Sequence, residues 1–235
     1  MQIYYDLHIH TALSPCAERD MTPNNIVNMA VLKGLDVIAA TDHNSSKNCR
    51  AVTETAKSNG LLVIPGMELC TAEEIHVLCL FPDINAAEAF DRIVTESMPH
   101  IKNRPEIFGE QLLLDSYDAI VGHEDMLLTN DSALSLGEAQ KTALKLGGVC
   151  VPAHIDRLSH SIISSLGTVP PEYGFKTVEV SKYGNDSDFN YGMKILKNSD
   201  AHSLGDINER EHFLEATELT AKGVITFLGG VSSCP

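Results

Sequence analysis

The sequence contains a series of short apolar runs, each of which ends at or near a side chain able to bind a metal ion. For example, Val37–Ala40 leads into His43, and the run at 149–151 leads into His154. In α/β barrels and related parallel sheets, the carboxyl ends of successive strands meet on one face, where the functional site lies. The pattern therefore predicts an α/β fold with one metal site, whose candidate ligands are His8, His10, His43, Glu68, His76, His154, Asp200 and His202.

Two of these candidates, His8 and His10, follow a strand-like start that contains Ile3, Tyr4 and Tyr5. Residues two apart on a strand point to the same side, so the two imidazoles face one direction. Imidazole is the commonest metal ligand among side chains. On these residues alone, a pair of surface histidines is an equally good interpretation. The recurrence of metal-binding side chains along the chain favours the metal site.

The charge of the chain limits the partners that it can have. Its formal net charge is −15, which argues against duplex nucleic acid and against an anionic membrane, because both repel an acidic surface. An anionic substrate is still compatible with this charge, since bound divalent cations reverse the sign locally.

The length of 235 residues predicts one domain over residues 1–235. No apolar run approaches the roughly 18 residues of a membrane span, and we expect no export leader. The cysteines are scattered and form no Cys-x-x-Cys pair, which favours reduced thiols in a cytoplasmic protein; they are Cys16, Cys49, Cys70, Cys79, Cys150 and Cys234.

Most of the chain alternates strand-like runs with helices whose first residues are marked by capping side chains. The predicted caps are Thr22, Ser45 or Ser46, Asn85, and Ser135 with Glu138 as a capping box. The segment from about 100 to 130 breaks this alternation. There, Gln111–Leu114 and Ala119–Val121 are predicted to form a hairpin, inserted beside the main architecture.

Several motifs make the chain resemble the polymerase-and-histidinol-phosphatase (PHP) family of metal-dependent phosphoesterases. The motifs are Asp6-Leu7-His8-Ile9-His10-Thr11, Thr41-Asp42-His43-Asn44, Gly66-Met67-Glu68 followed by His76, Pro152-Ala153-His154, and Ser199-Asp200-Ala201-His202. Each motif is weak alone, but all of them in this order are specific. The resemblance implies a distorted, TIM-like barrel of seven β/α units that holds two or three divalent ions, with zinc, manganese and iron as the candidates.

The resemblance also implies how the ligands are shared among the ions. One ion would be held by His8, His10, Glu68 and Asp200, a second by Glu68, His76 and His154, and a third by His43 and His202. The position at which many members place a further ligand to the third ion is Pro15 here, which has no ligating atom. Cys16, Glu18 and Asp20 are nearby alternatives. His43 and His202 are therefore also candidates for holding the substrate phosphate or for donating a proton.

The predicted activity is hydrolysis of the phosphate ester of a small molecule by a metal-bound hydroxide, with His202, His43 and Asp200 as candidate catalytic residues. Arg157 and Lys182 are candidates for binding the phosphate, with solvated surface charges as an equal alternative. Asp6 and Asp42 are predicted to accept hydrogen bonds that orient ligand histidines. The alternative functions are a phosphodiesterase or nucleotidase, a nuclease-like module and a non-catalytic metal-binding regulatory domain. His100, His123, His160 and His212 are predicted to lie outside the site.

Overall fold

A computed structural model describes residues 1–189 and 192–229, so Cys234 lies outside the described residues. The strands are β1 (Gln2–Ile9), β2 (Val37–Ala40), β3 (Leu62–Cys70), β4 (His76–Leu80), β5 (Leu112–Leu114), β6 (Ile120–His123), β7 (Val149–Pro152), β8 (Thr177–Ser181), β9 (Lys194–Asn198) and β10 (Phe213–Glu215). The helices are α1 (Pro23–Leu32), α2 (Cys49–Ala56), α3 (Ile84–Ser97), α4 (Pro105–Phe108), α5 (Leu136–Lys145), α6 (Ile162–Leu166) and α7 (Ala221–Leu228). Among the described residues, no helix is long and apolar enough to cross a bilayer.

The main sheet has six strands in the order β10-β1-β2-β3-β4-β7. β1, β2 and β3 are parallel, whereas β4 runs antiparallel to both of its neighbours. Only residues 71–75 connect β3 to β4, and a parallel crossover needs a dozen or more residues. The fold is therefore α/β, as predicted, but it is not a strict repeat of parallel β/α units.

A separate parallel pair, β8–β9, lies beside the main sheet, with β8 next to β7 and β9 next to β1. On one side, the N–H of Ile155 after β7 donates to the carbonyl of Glu179 in β8 (2.9 Å). On the other side, the N–H of Ala201 after β9 donates to the carbonyl of His8 in β1 (3.2 Å). The carboxyl ends of β1, β7 and β9 are thereby brought close together. The count of seven β/α units stays a prediction.

The helix starts follow the predicted caps in part. Thr22 caps α1 and Ser135 forms a capping box with Glu138 at α5, as the sequence indicates. Asp83 instead of Asn85 caps α3, because its side chain accepts the N–H of Ala86. The second helix begins only at Cys49, since Ser45 and Ser46 are held elsewhere: the Ser45 hydroxyl (3.0 Å) and the Ser46 N–H (2.6 Å) both donate to Asp91.

In the segment from 100 to 130, β5 and β6 pair antiparallel, with Leu112 opposite His123. This segment packs against the loop that follows β1: the N–H of Leu112 donates to the carbonyl of Ala12 (2.8 Å). Gly109 has a φ of +103°, and a Cβ at that position would lie 2.0 Å from the carbonyl oxygen of Pro15. Only glycine fits this contact. The description of the segment as an insertion stays a prediction.

Candidate metal centre

The candidate ligands from the sequence converge on Glu68, whose side chain is only 1% exposed. Its Oε1 lies 2.8 Å from His76 Nδ1, 3.0 Å from His154 Nε2 and 3.3 Å from His8 Nε2. These imidazoles come from β4, from the end of β7 and from β1. One carboxylate oxygen thus joins three elements of the sheet.

The other oxygen of Glu68 faces a second group of side chains. Its Oε2 lies 2.9 Å from His43 Nδ1 and 3.5 Å from His10 Nε2. Asp200 completes this side, with its Oδ1 3.1 Å from His10 Nε2 and 3.2 Å from His8 Nε2. A carboxylate that offers its two oxygens to two groups of nitrogen ligands can bridge two cations.

Three groups of candidate ligands share members, and within each group the ligand atoms all lie within 4.8 Å of one another. They are His8, His10, Glu68 and Asp200; then His43, Glu68 and His76; then His10, His43 and His202. Together with His154 beside Glu68, they contain all eight ligands proposed from the sequence. Asp200 (φ +53°) and His154 (φ +28°) adopt a left-handed backbone conformation that side chains other than glycine rarely adopt, and such strain is concentrated at functional sites.

The hydrogen bonds of His8 fix which of its nitrogens faces the centre. Its Nδ1–H donates to both carboxylate oxygens of Glu179 (3.0 and 3.1 Å), which leaves Nε2 toward Glu68 and Asp200. Glu179 also accepts the backbone N–H of His154 (3.0 Å) and the amide of Asn198 (2.6 Å). Glu179 was missed in the sequence because it lies within a strand and not at its end. The only signal was an acid inside an apolar run.

His10 is oriented in the same way through Ser14 and Asp42. The Ser14 hydroxyl donates to Asp42 (2.7 Å), so it can only accept from His10 Nδ1–H (2.9 Å), and His10 Nε2 is left free. Asp42 is held in turn by the N–H and the hydroxyl of Thr11 (both 2.7 Å). Asp42 therefore reaches a ligand histidine through Ser14.

Asp6 contacts the backbone of a ligand histidine and not its ring, since it accepts the N–H of His8 (3.5 Å). It accepts the backbone N–H of Ser199 (3.1 Å) and of Asn208 (2.9 Å), and so fixes the backbone next to Asp200.

The donor atoms of the centre fit a divalent cation. His8 Nε2 and His10 Nε2 are 3.2 Å apart and both face the Asp200 carboxylate, although both Nδ1 atoms already use their protons elsewhere. Such a cluster of acceptors needs a cation or an extra proton between its members. In addition, Glu68 Oε2 is buried without a hydrogen-bond partner among the described residues. Imidazole and carboxylate ligands suit zinc, manganese and iron.

The directions of the pKa shifts in the centre also favour a positive charge between these side chains. Burial alone would raise the pKa of Glu68, but His76, His8 and His43 outweigh it and hold that pKa well below its usual range. Burial opposes protonation of His8, yet Glu179, Asp200 and Glu68 raise its pKa well above the ordinary value. These shifts indicate that the acidic groups of the centre favour positive charge beside them, for which a bound cation would compete with protons.

Of the two predicted phosphate-binding residues, Arg157 lies at the edge of the centre. Its guanidinium is 2.7 Å from Asp200 Oδ2, and its side chain is 46% exposed. Lys182 donates to the carbonyl of Asp206 (3.2 Å). Both residues line an open pocket of about 290 Å³, whose wall also includes Tyr183.

At the mouth of the centre, the Cys16 thiol interacts with the imidazoles of His43 and His202. Burial would raise the pKa of this thiol, but the two histidines lower it to about 7. On another side, His160 stacks on His76 with ring centroids 4.7 Å apart, and these two histidines form a further group with Cys70. The thiol of Cys70 donates to Asp131 (2.9 Å).

Comparison with known families gives a match to the PHP domain over residues 6–161, more than half of the chain. The 5'-3' exoribonuclease Rnm of Salmonella typhimurium is 26% identical over 176 residues, which cover 73% of this chain and 58% of that protein. The chain thus spans less than two thirds of the length of this curated relative.

Two solved structures share the fold. The lesion-specific endonuclease PfuEndoQ of Pyrococcus furiosus superposes with a TM-score of 0.71 at 21% identity, over 99% of this chain and 57% of that one. A protein of Bifidobacterium adolescentis assigned as a metal-dependent phosphoesterase has a TM-score of 0.63 at 18% identity, over 97% of both chains. These similar proteins include an exoribonuclease and an endonuclease, which conflicts with the prediction from net charge that duplex nucleic acid is an unlikely partner.

Proposed function

This chain belongs to the PHP domain family, and we propose that it is a metal-dependent hydrolase of phosphoester bonds. The observation that carries the proposal is the position of Glu68: a buried carboxylate with one oxygen facing His76, His154 and His8, and the other facing His43 and His10. A role in stability alone would not need these imidazoles to aim at one carboxylate.

We propose the ligand sets that the family resemblance implies. His8, His10, Glu68 and Asp200 would hold one ion, and Glu68, His76 and His154 a second. When bound, such ions lower the pKa of water and polarise phosphoryl oxygens. Glu179 and Ser14 hold His8 and His10 with Nε2 free, and thereby prepare both histidines as ligands.

Arg157 is the residue that we propose to position the phosphate. Its guanidinium contacts Asp200 with one nitrogen, and about half of the side chain is exposed to the pocket. A guanidinium can bind phosphate with two parallel hydrogen bonds, so it orients the group as well as neutralising it. Lys182, from the same pocket wall, adds a second positive charge.

For the substrate, we propose a small phosphorylated molecule, with the end of a nucleic-acid strand as the second candidate. One structural observation favours the second: Tyr183 is 92% exposed and lies beside Lys182 and Arg157 in the pocket wall. An exposed aromatic ring next to cations is the arrangement on which unpaired bases stack.

The test measures phosphate release from nucleoside monophosphates and nucleotide release from 5'-phosphorylated single-stranded RNA, with added manganese or zinc. We expect Glu68→Gln to abolish whichever activity is present, and Glu96→Gln, on the exposed face of α3, to leave it unchanged. A clear preference for one substrate decides between the candidates. If metal-loaded protein cleaves neither, or if Glu68→Gln retains full activity, the proposed function is wrong.

A further inference from the structure

Cys70, His76 and His160 form a group of possible metal ligands at the edge of the centre. One ligand atom of each lies within 4.8 Å of the others. Two ligands of one tetrahedral zinc ion are about 3.3–3.8 Å apart, so small side-chain movements would let all three bind the same ion. Cys70 is buried, His76 is partly exposed and His160 is exposed, so an ion can reach the group from solvent.

The pairing of β3 with β4 places Cys70 and His76 side by side. Cys70 is opposite His76 in the register of the two strands. The N–H of Thr71 donates to the carbonyl of Ile75 (2.9 Å), so the next pair along is of the type without hydrogen bonds between its members. The Cα atoms of such a pair are about 4.5 Å apart, and its side chains lie close together on one face of the sheet.

The backbone also fixes His160 next to His76. The N–H of His76 donates to the carbonyl of His160 (3.0 Å), and the two rings stack with their centroids 4.7 Å apart. His160 has a φ of +52°, a left-handed conformation that is uncommon outside glycine and is concentrated at functional sites. Directly after it, Ser161 caps α6, and its hydroxyl donates to the carbonyl of Arg157 (2.7 Å). His160 is thus held beside His76 by the loop that also carries Arg157.

We propose that Cys70, His76 and His160 form a zinc site that competes with the centre for His76. A neutral imidazole has one nitrogen that can bind a metal, because the other carries a proton. His76 Nδ1 lies 2.8 Å from Glu68 Oε1, where the second ion of the centre would bind it. His76 can therefore serve only one of the two ions at a time. The effect on activity rests on the proposed function, whereas the binding of zinc to Cys70 does not.

The thiolate of Cys70 would make this site selective for zinc over manganese. Thiolate is a soft ligand that favours zinc, whereas manganese prefers oxygen ligands. The thiol donates to Asp131 (2.9 Å), and burial together with Asp131 raises its pKa, so it keeps its proton until a cation arrives. When zinc binds, the S–H bond breaks, the sulfur binds the metal as a thiolate, and the proton leaves to solvent. Zinc at this site would thus withdraw His76 and inhibit an enzyme that works with manganese.

X-ray absorption at the zinc edge of the zinc-loaded full chain tests the site directly. We expect a sulfur shell at about 2.3 Å in the wild type and its loss in Cys70→Ser. Serine keeps a donor for Asp131, so this variant should fold. The matched control is Cys49→Ser, at a buried thiol that donates to the carbonyls of Ala40 (3.3 Å) and Gly66 (3.2 Å), and it should retain the shell. A wild-type spectrum without sulfur, or a shell that persists in Cys70→Ser, overturns the assignment.

A second measurement tests the competition for His76 by adding zinc to protein that is active with manganese. Loss of a residue that only orients a ligand lowers metal affinity by about 10–100-fold, so loss of a ligand should raise the half-inhibiting zinc concentration by at least about tenfold. We expect this rise in Cys70→Ser and in His160→Asn, because asparagine tolerates a left-handed backbone. Cys49→Ser should be inhibited like the wild type.

No inhibition of the wild type, or equal inhibition of all these proteins, overturns the competition. If neither substrate is cleaved with any metal, the proposed function is wrong, and the sulfur shell alone still decides whether the zinc site exists. Failure of the zinc site is therefore distinct from failure of the proposed activity.

Discussion

Replacing Glu179 by glutamine is the sharpest test of how the centre is built, because this residue touches no proposed ion and acts only through its neighbours. Its two oxygens accept from His8 Nδ1–H, from the N–H of His154 and from the amide of Asn198. Glutamine has one oxygen and one NH2 group. Whichever way the amide turns, its NH2 group meets at least one of these donors.

The contacts that Glu179 makes indicate how large the effect of its replacement should be. Loss of an outer residue that orients a metal-binding histidine typically lowers metal affinity by about 10–100-fold, which corresponds to about 1.4–2.8 kcal/mol of binding free energy. In the metal-free protein, the buried donor left without an acceptor should cost about 1–3 kcal/mol of unfolding free energy. We therefore expect Glu179→Gln to bind zinc more weakly and to unfold at lower urea concentration.

The assay is zinc titration against a competing chelator, with urea unfolding followed by circular dichroism on the same samples. Glu172→Gln, the same substitution at an exposed position, serves as the control and should change neither quantity. If Glu179→Gln folds and binds zinc within twofold of the wild type, the assignment of Glu179 as the residue that orients His8 is refuted.

Three further predictions follow from individual contacts. Gly109→Ala should lower the unfolding free energy by about 1–3 kcal/mol through the strained backbone alone, and by more because its Cβ would meet the Pro15 carbonyl. Gly60→Ala, at φ +68° with open space around it, should show only the backbone cost. Urea unfolding of both variants measures the difference. Burial opposes protonation of His43, but Glu68 helps raise its pKa to about 10, so in metal-free protein its stabilising effect is complete below pH 6.5 and is lost toward pH 10. Unfolding free energies across that range should therefore fall, while zinc affinity rises as the proton leaves. Arg157→Ala should raise KM for a phosphorylated substrate without changing metal content, and steady-state kinetics with elemental analysis would separate the two.

The sequence allowed a ligand of the centre to be predicted where that residue lies at or just after an apolar run. The recurrence of a metal-binding side chain at or just after an apolar run indicated His8, Glu68 and His154, although β3 continues past Glu68 to Cys70. The caps Thr22 and Ser135 were predictable for the same reason, because a capping side chain bonds to a backbone N–H only three residues away.

What could not be predicted depends on contacts between distant parts of the chain. Glu179 meets His8 across 171 residues, and its one local signal, an acid inside an apolar run, does not indicate which residue it contacts. Ser45 has the sequence signature of a helix cap, but its hydroxyl donates to Asp91 on α3 instead. The net charge is a weak guide to partners for a similar reason, because it averages over the whole surface, whereas Arg157 and Lys182 lie together in one pocket.

The convergence on Asp200 has a consequence for how the molecule opens. Asp200 lies 3.1 Å from His10, which is 190 residues away in the sequence. An ion bound to both would therefore link the residues just after β1 to the region after β9. Closing so long a loop costs chain entropy, and a bound ion would add to the backbone hydrogen bonds that already join the two regions. Removing the metal should therefore weaken the contact between these two regions before the rest of the sheet is affected, and hydrogen exchange should accelerate first at residues 199–208.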